Sequence, residues 1–251
     1  MLPLKTNDLI ALLIVLITAL VLLAFFLLDK RAKKAAIALP AAVEALDQFL
    51  EKNAEEGGSL LLNLGSGLAG QADPASLPGL SLQRQLLKRS LTGDQPLLFE
   101  SGEGTLSLLS QAQSASVYRH ALMGELYDPA QQGLGGFGPV ANLAALLALT
   151  AQPRQKARIL SGCYSPEAFI AIDQASRAGQ ETWLASPALS AQASLSVLAE
   201  NSLIGEDSLY LSSGAKPAPA AFLSIQAADL VKILIAIGLL AACILKVMGE
   251  I

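Results

Sequence analysis

Few residues in this chain have the type and spacing to do chemistry, and the clearest pattern among them is glycine. Residues 63–70 read NLGSGLAG, so Gly65, Gly67 and Gly70 spell G-x-G-x-x-G directly behind the apolar run Ser59 to Leu64. In a dinucleotide-binding turn this spacing lets the backbone approach a pyrophosphate whose charge rests on the N-terminus of the next helix. Two requirements fail here. The first clear helix-start signal after Gly70 is Asp73-Pro74, outside the motif. The acid that should reach a ribose is Glu100, thirty residues past Gly70, where about twenty is expected. The pattern therefore reads as a structural glycine turn rather than a nucleotide cradle.

The other reactive groups are isolated. Cys163 precedes the helix signal Ser165-Pro166-Glu167, a place that favours a thiolate, yet no histidine is near it in sequence. His120 is the one histidine of the chain and has no close cysteine partner, so no metal and no cofactor are expected. Glu206 and Asp207 follow the last apolar run and read as helix caps rather than a catalytic carboxylate pair. No catalytic residue is assigned.

Small residues recur where apolar runs stop: Gly65, Ser66 and Gly67, then Gly102, then Ser161 and Gly162, with Ser165 just beyond. In a parallel sheet such positions share the edge where α/β proteins bind ligands, so these seven form the candidate set for a small anionic or nucleotide ligand. Tight turns between strand and helix would require the same residues.

The elements that must hold them alternate. Ala41 to Glu56 places Val43, Leu46, Phe49 and Leu50 at helical spacing, and Gly57-Gly58 ends that helix. Strand-like runs follow at Ser59–Leu64, Pro96–Phe99, Arg158–Leu160, Thr182–Ala185 and Ser202–Ile204. Between them lie helix signals at Asp73-Pro74, Ser101-Gly102-Glu103, Ser165-Pro166-Glu167 and Ser186-Pro187. Short buried strands alternating with helices predict a Rossmann-like α/β domain, a parallel sheet covered on both faces. Between Val117 and Gly138 the glycines Gly133, Gly135, Gly136 and Gly138 leave little strand propensity.

Composition adds a membrane. Of 251 residues, 53% are hydrophobic and 15% charged, more apolar than a soluble domain of this size requires. Leu9 to Leu28 carries no charge over twenty residues, enough to cross about 30 Å of hydrocarbon. Leu230 to Met248 is a second candidate span, in which Lys232 and Lys246 must snorkel to the headgroups and Gly238 and Ala242 stand at the small-xxx-small spacing that lets helices pack closely. Lys30, Arg31, Lys33 and Lys34 follow the first span, against Lys5 before it, and place the central region in the cytoplasm. The organisation expected is a transmembrane helix in residues 1–29, a cytoplasmic α/β domain in 30–226 and a second transmembrane helix in 227–251, located in the inner (plasma) membrane. A formal net charge of −4 without a basic patch beyond the juxtamembrane cations excludes nucleic acid as a partner.

The stretches GGFGP (Gly135 to Pro139), SPEA (Ser165 to Ala168) and LIGED (Leu203 to Asp207), with the terminal apolar segment, resemble a family of bacterial membrane-anchored proteins known as a domain of unknown function. The resemblance covers most of Ala41 to Leu245. It implies the same architecture and no known activity, and it implies that this chain is shortened between Val117 and Gly133, with a strand lost there. The function expected is a non-enzymatic membrane subunit or scaffold, partnered by the lipid bilayer and by copies of itself or other subunits of a membrane complex. The alternative is a membrane-tethered sensor or enzyme binding a small ligand at the strand ends.

Overall fold

The structure is a computed structural model and describes residues 41–66, 74–91, 97–188, 195, 197, 201–213, 230–233, 235, 236 and 238. The chain falls into two compact units, Leu39–Pro217 and a second made of Met1–Ala38 with Ala218–Ile251. In the first unit the order is α1 (Ala41–Glu55), β1 (Ser59–Asn63), α2 (Leu77–Ser90), β2 (Leu97–Ser101), α3 (Gly104–His120), β3 (Gln132–Leu134), α4 (Pro139–Thr150), β4 (Gln155–Ser161), α5 (Ala168–Arg177), β5 (Glu181–Ser186) and β6 (Asn201–Ile204). A 3-10 helix, Gly205–Ser213, follows β6.

All six strands are parallel, in the order β3-β2-β1-β4-β5-β6. Parallel neighbours need crossover helices, and those helices cover both faces. On one face Leu60, Leu62, Phe99, Ile159, Trp183 and Leu203 pack against Val43 and Leu46 of α1, Leu82 and Leu87 of α2, and Leu106 and Val117 of α3. On the other, Leu61, Leu160 and Leu184 pack against Leu146 of α4 and Ala171 and Ile172 of α5. The α/β parallel sheet expected from the alternation of runs is thus present, with strand order reversing between β1 and β4.

Helix α1 runs antiparallel to the strands. Its C-terminal end is fixed at their N-terminal edge, where Lys52 reaches Glu181 at 4.0 Å and Asn53 Nδ2 donates to the Gly58 carbonyl at 3.4 Å. One turn earlier, Phe49 lies 5.7 Å from Trp183, ring centre to ring centre. Fifteen residues extend about 22 Å, the height of the sheet, so α1 begins at the C-terminal edge of the strands.

The structure corrects several expectations. A strand does form in the stretch whose glycines leave little propensity for one: Gln132–Leu134 pairs with Phe99 to Ser101 as the edge strand β3. An edge strand pairs on one side only, and Gly133 fits because a Cβ there would stand 3.2 Å from the Glu100 side chain. Helix α2 begins at Leu77, not at Pro74; a single 3-10 turn, Pro74–Ser76, comes first, and Ser76 is its N-cap residue without capping through its side chain. Instead the Ser76 hydroxyl donates to the Leu64 carbonyl at 2.7 Å. Helix α5 likewise begins at Ala168, with Glu167 rather than Ser165 at the cap position; Ser165 belongs to a preceding turn closed by Ala168 N–H on its carbonyl.

No helix among the described residues is long and apolar enough to cross a membrane. The segment Leu9 to Leu28 lies outside the described residues, as do Asp73, the helix expected directly after Ser186-Pro187 over most of its length, and much of Leu230 to Met248. Leu230, Lys232 and Gly238 are helical, a Cβ on Gly238 would meet nothing within 4 Å, and Ala242 lies outside the described residues.

The end of α3 carries an exposed leucine in a left-handed conformation. Met123 N–H donates to the Tyr118 carbonyl at 2.9 Å and Leu122 N–H to that of Arg119 at 3.1 Å, a helix-terminating pattern that ordinarily uses glycine. Leu122 has φ of 58° and is 95% exposed. Leu122→Gly is expected to stabilise the protein by about 1 kcal/mol, read as a higher urea midpoint with an unchanged slope.

Candidate functional site

The C-terminal ends of β1, β2 and β4 meet where the strand order reverses, the place where open parallel sheets bind ligands. The loops leaving them are tied to one another rather than splayed. Leu64 N–H donates to the Glu100 carbonyl at 2.8 Å and Gly102 N–H to that of Gly65 at 2.8 Å, while Ser66 N–H reaches the Cys163 carbonyl at 3.4 Å. Gly65 has φ of +76° and Gly162 of +127°, both in the region that favours glycine. A Cβ on Gly65 would stand 2.7 Å from the Cys163 carbonyl oxygen, and one on Gly162 would stand 2.6 Å from that of Leu64. At Gly102 it would stand 2.8 Å from the side chains of both Asn142 and Ser66. These glycines permit loop to approach loop.

A buried polar network fills the space between the loops. Tyr164 donates its hydroxyl to the Asn63 carbonyl at 2.8 Å, with the Asn63 amide oxygen also 2.9 Å away, and that same oxygen accepts from Gly65 N–H at 2.9 Å. Asn63 Nδ2 donates to Asn142 Oδ1 of α4 at 3.0 Å. Asn63 and Asn142 are almost wholly buried. Burial pushes the Tyr164 phenol well above its ordinary pKa, so it is a neutral hydrogen-bonding group. Glu100, beside Asn63 in the register, is raised by burial, an effect that Arg158 and the Asn63 amide partly oppose. The cavity remaining among Ser66, Pro139, Asn142, Tyr164 and Ser165 measures about 10 Å³, room for one water.

Of the seven residues expected to line a ligand site, the fold brings together Gly65, Ser66, Gly102, Gly162 and Ser165. Ser161 turns away into the core, where α2 packs so closely that a Cβ on Gly79 would lie 2.6 Å from its hydroxyl oxygen. Ser165 gives its hydroxyl to the exposed Glu167 carboxylate, which lowers that group's pKa. Gly67 lies outside the described residues. Cys163 is buried, and His120 lies exposed at the opposite edge with Nδ1 2.7 Å from the Ser116 carbonyl oxygen. Among the described residues no three His, Cys, Asp or Glu side chains come together as a metal site. Sequence reasoning missed Asn63, Asn142 and Tyr164. The available signal was Asn63 itself, an amide closing an otherwise apolar strand.

No family model matches the chain, and neither a curated protein nor a solved structure matches it. The family resemblance carried by GGFGP, SPEA and LIGED accordingly stays a proposal.

Proposed function

We propose that this protein is a non-enzymatic subunit or scaffold of the inner membrane, whose Rossmann-like domain has closed the crevice that its relatives in architecture use for ligands. The observation that carries this reading is the Asn63–Asn142–Tyr164 network. It places the chain's own hydrogen-bonding groups on the Gly65 amide, and the strand-end glycines serve contact between loops. Membrane attachment is supported by the two apolar segments and the cation cluster after the first. Assembly is supported by tethering at both ends, which raises the effective concentration of neighbouring copies, and by the Gly238 and Ala242 spacing.

Thermal unfolding of the full chain in mild detergent tests the closed crevice. A ligand present at one hundred times its Kd would stabilise the fold by about 2.7 kcal/mol. Millimolar NAD, NADP or ATP is expected to leave the midpoint unchanged. A saturable rise with any of them would replace the scaffold reading with the sensor or enzyme. Native mass in the same detergent is expected to exceed that of one chain.

A further inference from the structure

We propose that Glu100 is a proton-operated latch on the edge of the sheet: protonated, it holds β3 and the loop behind it in place, and ionised, it lets them go. Leu98, two residues earlier in β2, packs with Leu146 of α4, so Glu100 projects on the same face. Its carboxyl group occupies the room that two glycines leave. A Cβ on Gly133 would stand 3.4 Å from Oε1, and one on Gly135 would stand 3.6 Å from Oε2. Oε2 is shut off from solvent and has no hydrogen-bond partner.

The neighbouring amides decide which form of the carboxyl group fits. Asn63 Oδ1 is taken by Gly65 N–H and the Tyr164 hydroxyl, so Asn63 turns its Nδ2 to Asn142 Oδ1, 3.0 Å away. That Asn142 oxygen lies 3.0 Å from the Gly135 Cβ position, the same point from which Glu100 Oε2 is 3.6 Å distant. Two acceptors therefore border one small space. A proton on Glu100 supplies the donor missing between them, whereas a bare carboxylate is left unpaired. Burial raises the Glu100 pKa from its ordinary 4.5, and Arg158 and the Asn63 amide oppose this in part. Among the described residues Arg158 of β4 is the charge that acts on Glu100, with the neutral Tyr164 phenol beyond it; β1, β3, residues 135–138 and α4 carry no titratable side chain. Glu103, three residues on, is a second buried carboxyl group without partners, but it opens α3, which covers the other face.

Strand β3 is the element that such a latch can move. It is three residues long and pairs with β2 alone. Beyond it, Gly135 N–H donates to the Ser101 carbonyl at 2.9 Å and Gly138 N–H to that of Gly102 at 3.1 Å. A short edge held this way opens at a lower free energy than the central strands. Because the folded form favours the protonated acid, the contribution of Glu100 to closure is complete below its ordinary pKa and is lost as pH rises through the raised one. Release frees the Ser101 and Gly102 carbonyls at the C-terminal edge of the sheet.

Hydrogen exchange of the full chain in mild detergent tests the latch, read on peptides covering residues 132–138 at about pH 5 and about pH 8. Protection factors, which remove the intrinsic pH dependence of exchange, are expected to be several-fold lower at the higher pH in the wild type. Peptides from β1 and β4 are expected to keep theirs. Glu100→Gln, which carries a donor at every pH, is expected to hold residues 132–138 equally at both. That variant leaves Glu103 in place, so a fall that persists in it assigns the effect to another group and overturns the proposal. A fall shared equally by β1 and β4 would be global unfolding and would overturn it as well. Equal wild-type protection at the two pH values would do the same, and that measurement needs no variant to fold.

Discussion

Arg158→Ala is expected to cost about 3–5 kcal/mol of folding stability, and Arg158→Met at least about 2 kcal/mol less than that. Arg158 sits in β4 between Leu61 and Thr182 and has no exposed surface. Its Nη2 donates to the Thr150 hydroxyl at 2.9 Å and to the Gln180 side-chain oxygen, its Nη1 reaches the Ala171 carbonyl at 3.5 Å, and its Nε has no partner. None of the ion pairs among the described residues includes it. Loss of hydration pulls its pKa down to about 10, and attraction to Glu100 offsets only part of that. Thr150 ends α4, so the helix dipole adds a further favourable but small contribution.

Alanine would leave both a cavity the size of the arginine stem and an unpaired Gln180 oxygen. Methionine removes the buried charge and the bond to Gln180 just as alanine does, but fills most of that volume; Thr150 keeps its own donated bond to the Leu146 carbonyl at 2.9 Å in both. Urea unfolding followed through Trp183, the chain's one tryptophan, measures both. A methionine variant as unstable as the alanine one would show that the lost hydrogen bonds, and not the cavity, set the cost.

Arg158 also shows where sequence reasoning reaches its limit. The run KARIL is apolar enough to announce a strand buried on both faces, and its arginine was a visible exception within it. The five strands built from leucine, isoleucine, alanine and aromatic residues between turn signals were legible because local composition and burial agree there. Strand β3 was not, since Gln132-Gly133-Leu134 has little propensity of its own and pairs because β2 presents a free edge. Helix α4 was hidden for another reason: PVANLAALLALT is apolar nearly all round, and the buried stripe of Asn142, Leu146 and Thr150 is marked by two polar residues rather than by hydrophobicity. The network at the strand ends joins positions 63, 142 and 164, and such distant pairings are set by topology rather than by any local pattern. The glycine motif was legible as a turn; what the turn packs against was not.

That packing makes the last prediction the sharpest test of what the glycines are for. Gly162→Ala and Gly65→Ala are each expected to cost about 3 kcal/mol or more, well above the roughly 1 kcal/mol expected for Gly57→Ala. All three glycines have positive φ; at +76° and +63° Gly65 and Gly57 lie at or near the left-handed region, so backbone strain does not separate those two, whereas +127° lies beyond it and adds strain of its own at Gly162. Surroundings separate both from Gly57. A Cβ on Gly57 meets nothing within 4 Å, whereas those on Gly65 and Gly162 would press on carbonyl oxygens of the facing loop, which are backbone and cannot swing aside. The two collisions lie across one contact, Gly65 on Cys163 and Gly162 on Leu64, so pushing the loops apart for one substitution relieves the other. The double variant is therefore expected to lose less than the sum of the singles when all four proteins are unfolded in urea. A turn kept open for a pyrophosphate would behave differently, because the space beyond Gly65 would hold solvent. Gly65→Ala would then cost no more than Gly57→Ala, and that result would return the motif to its nucleotide reading.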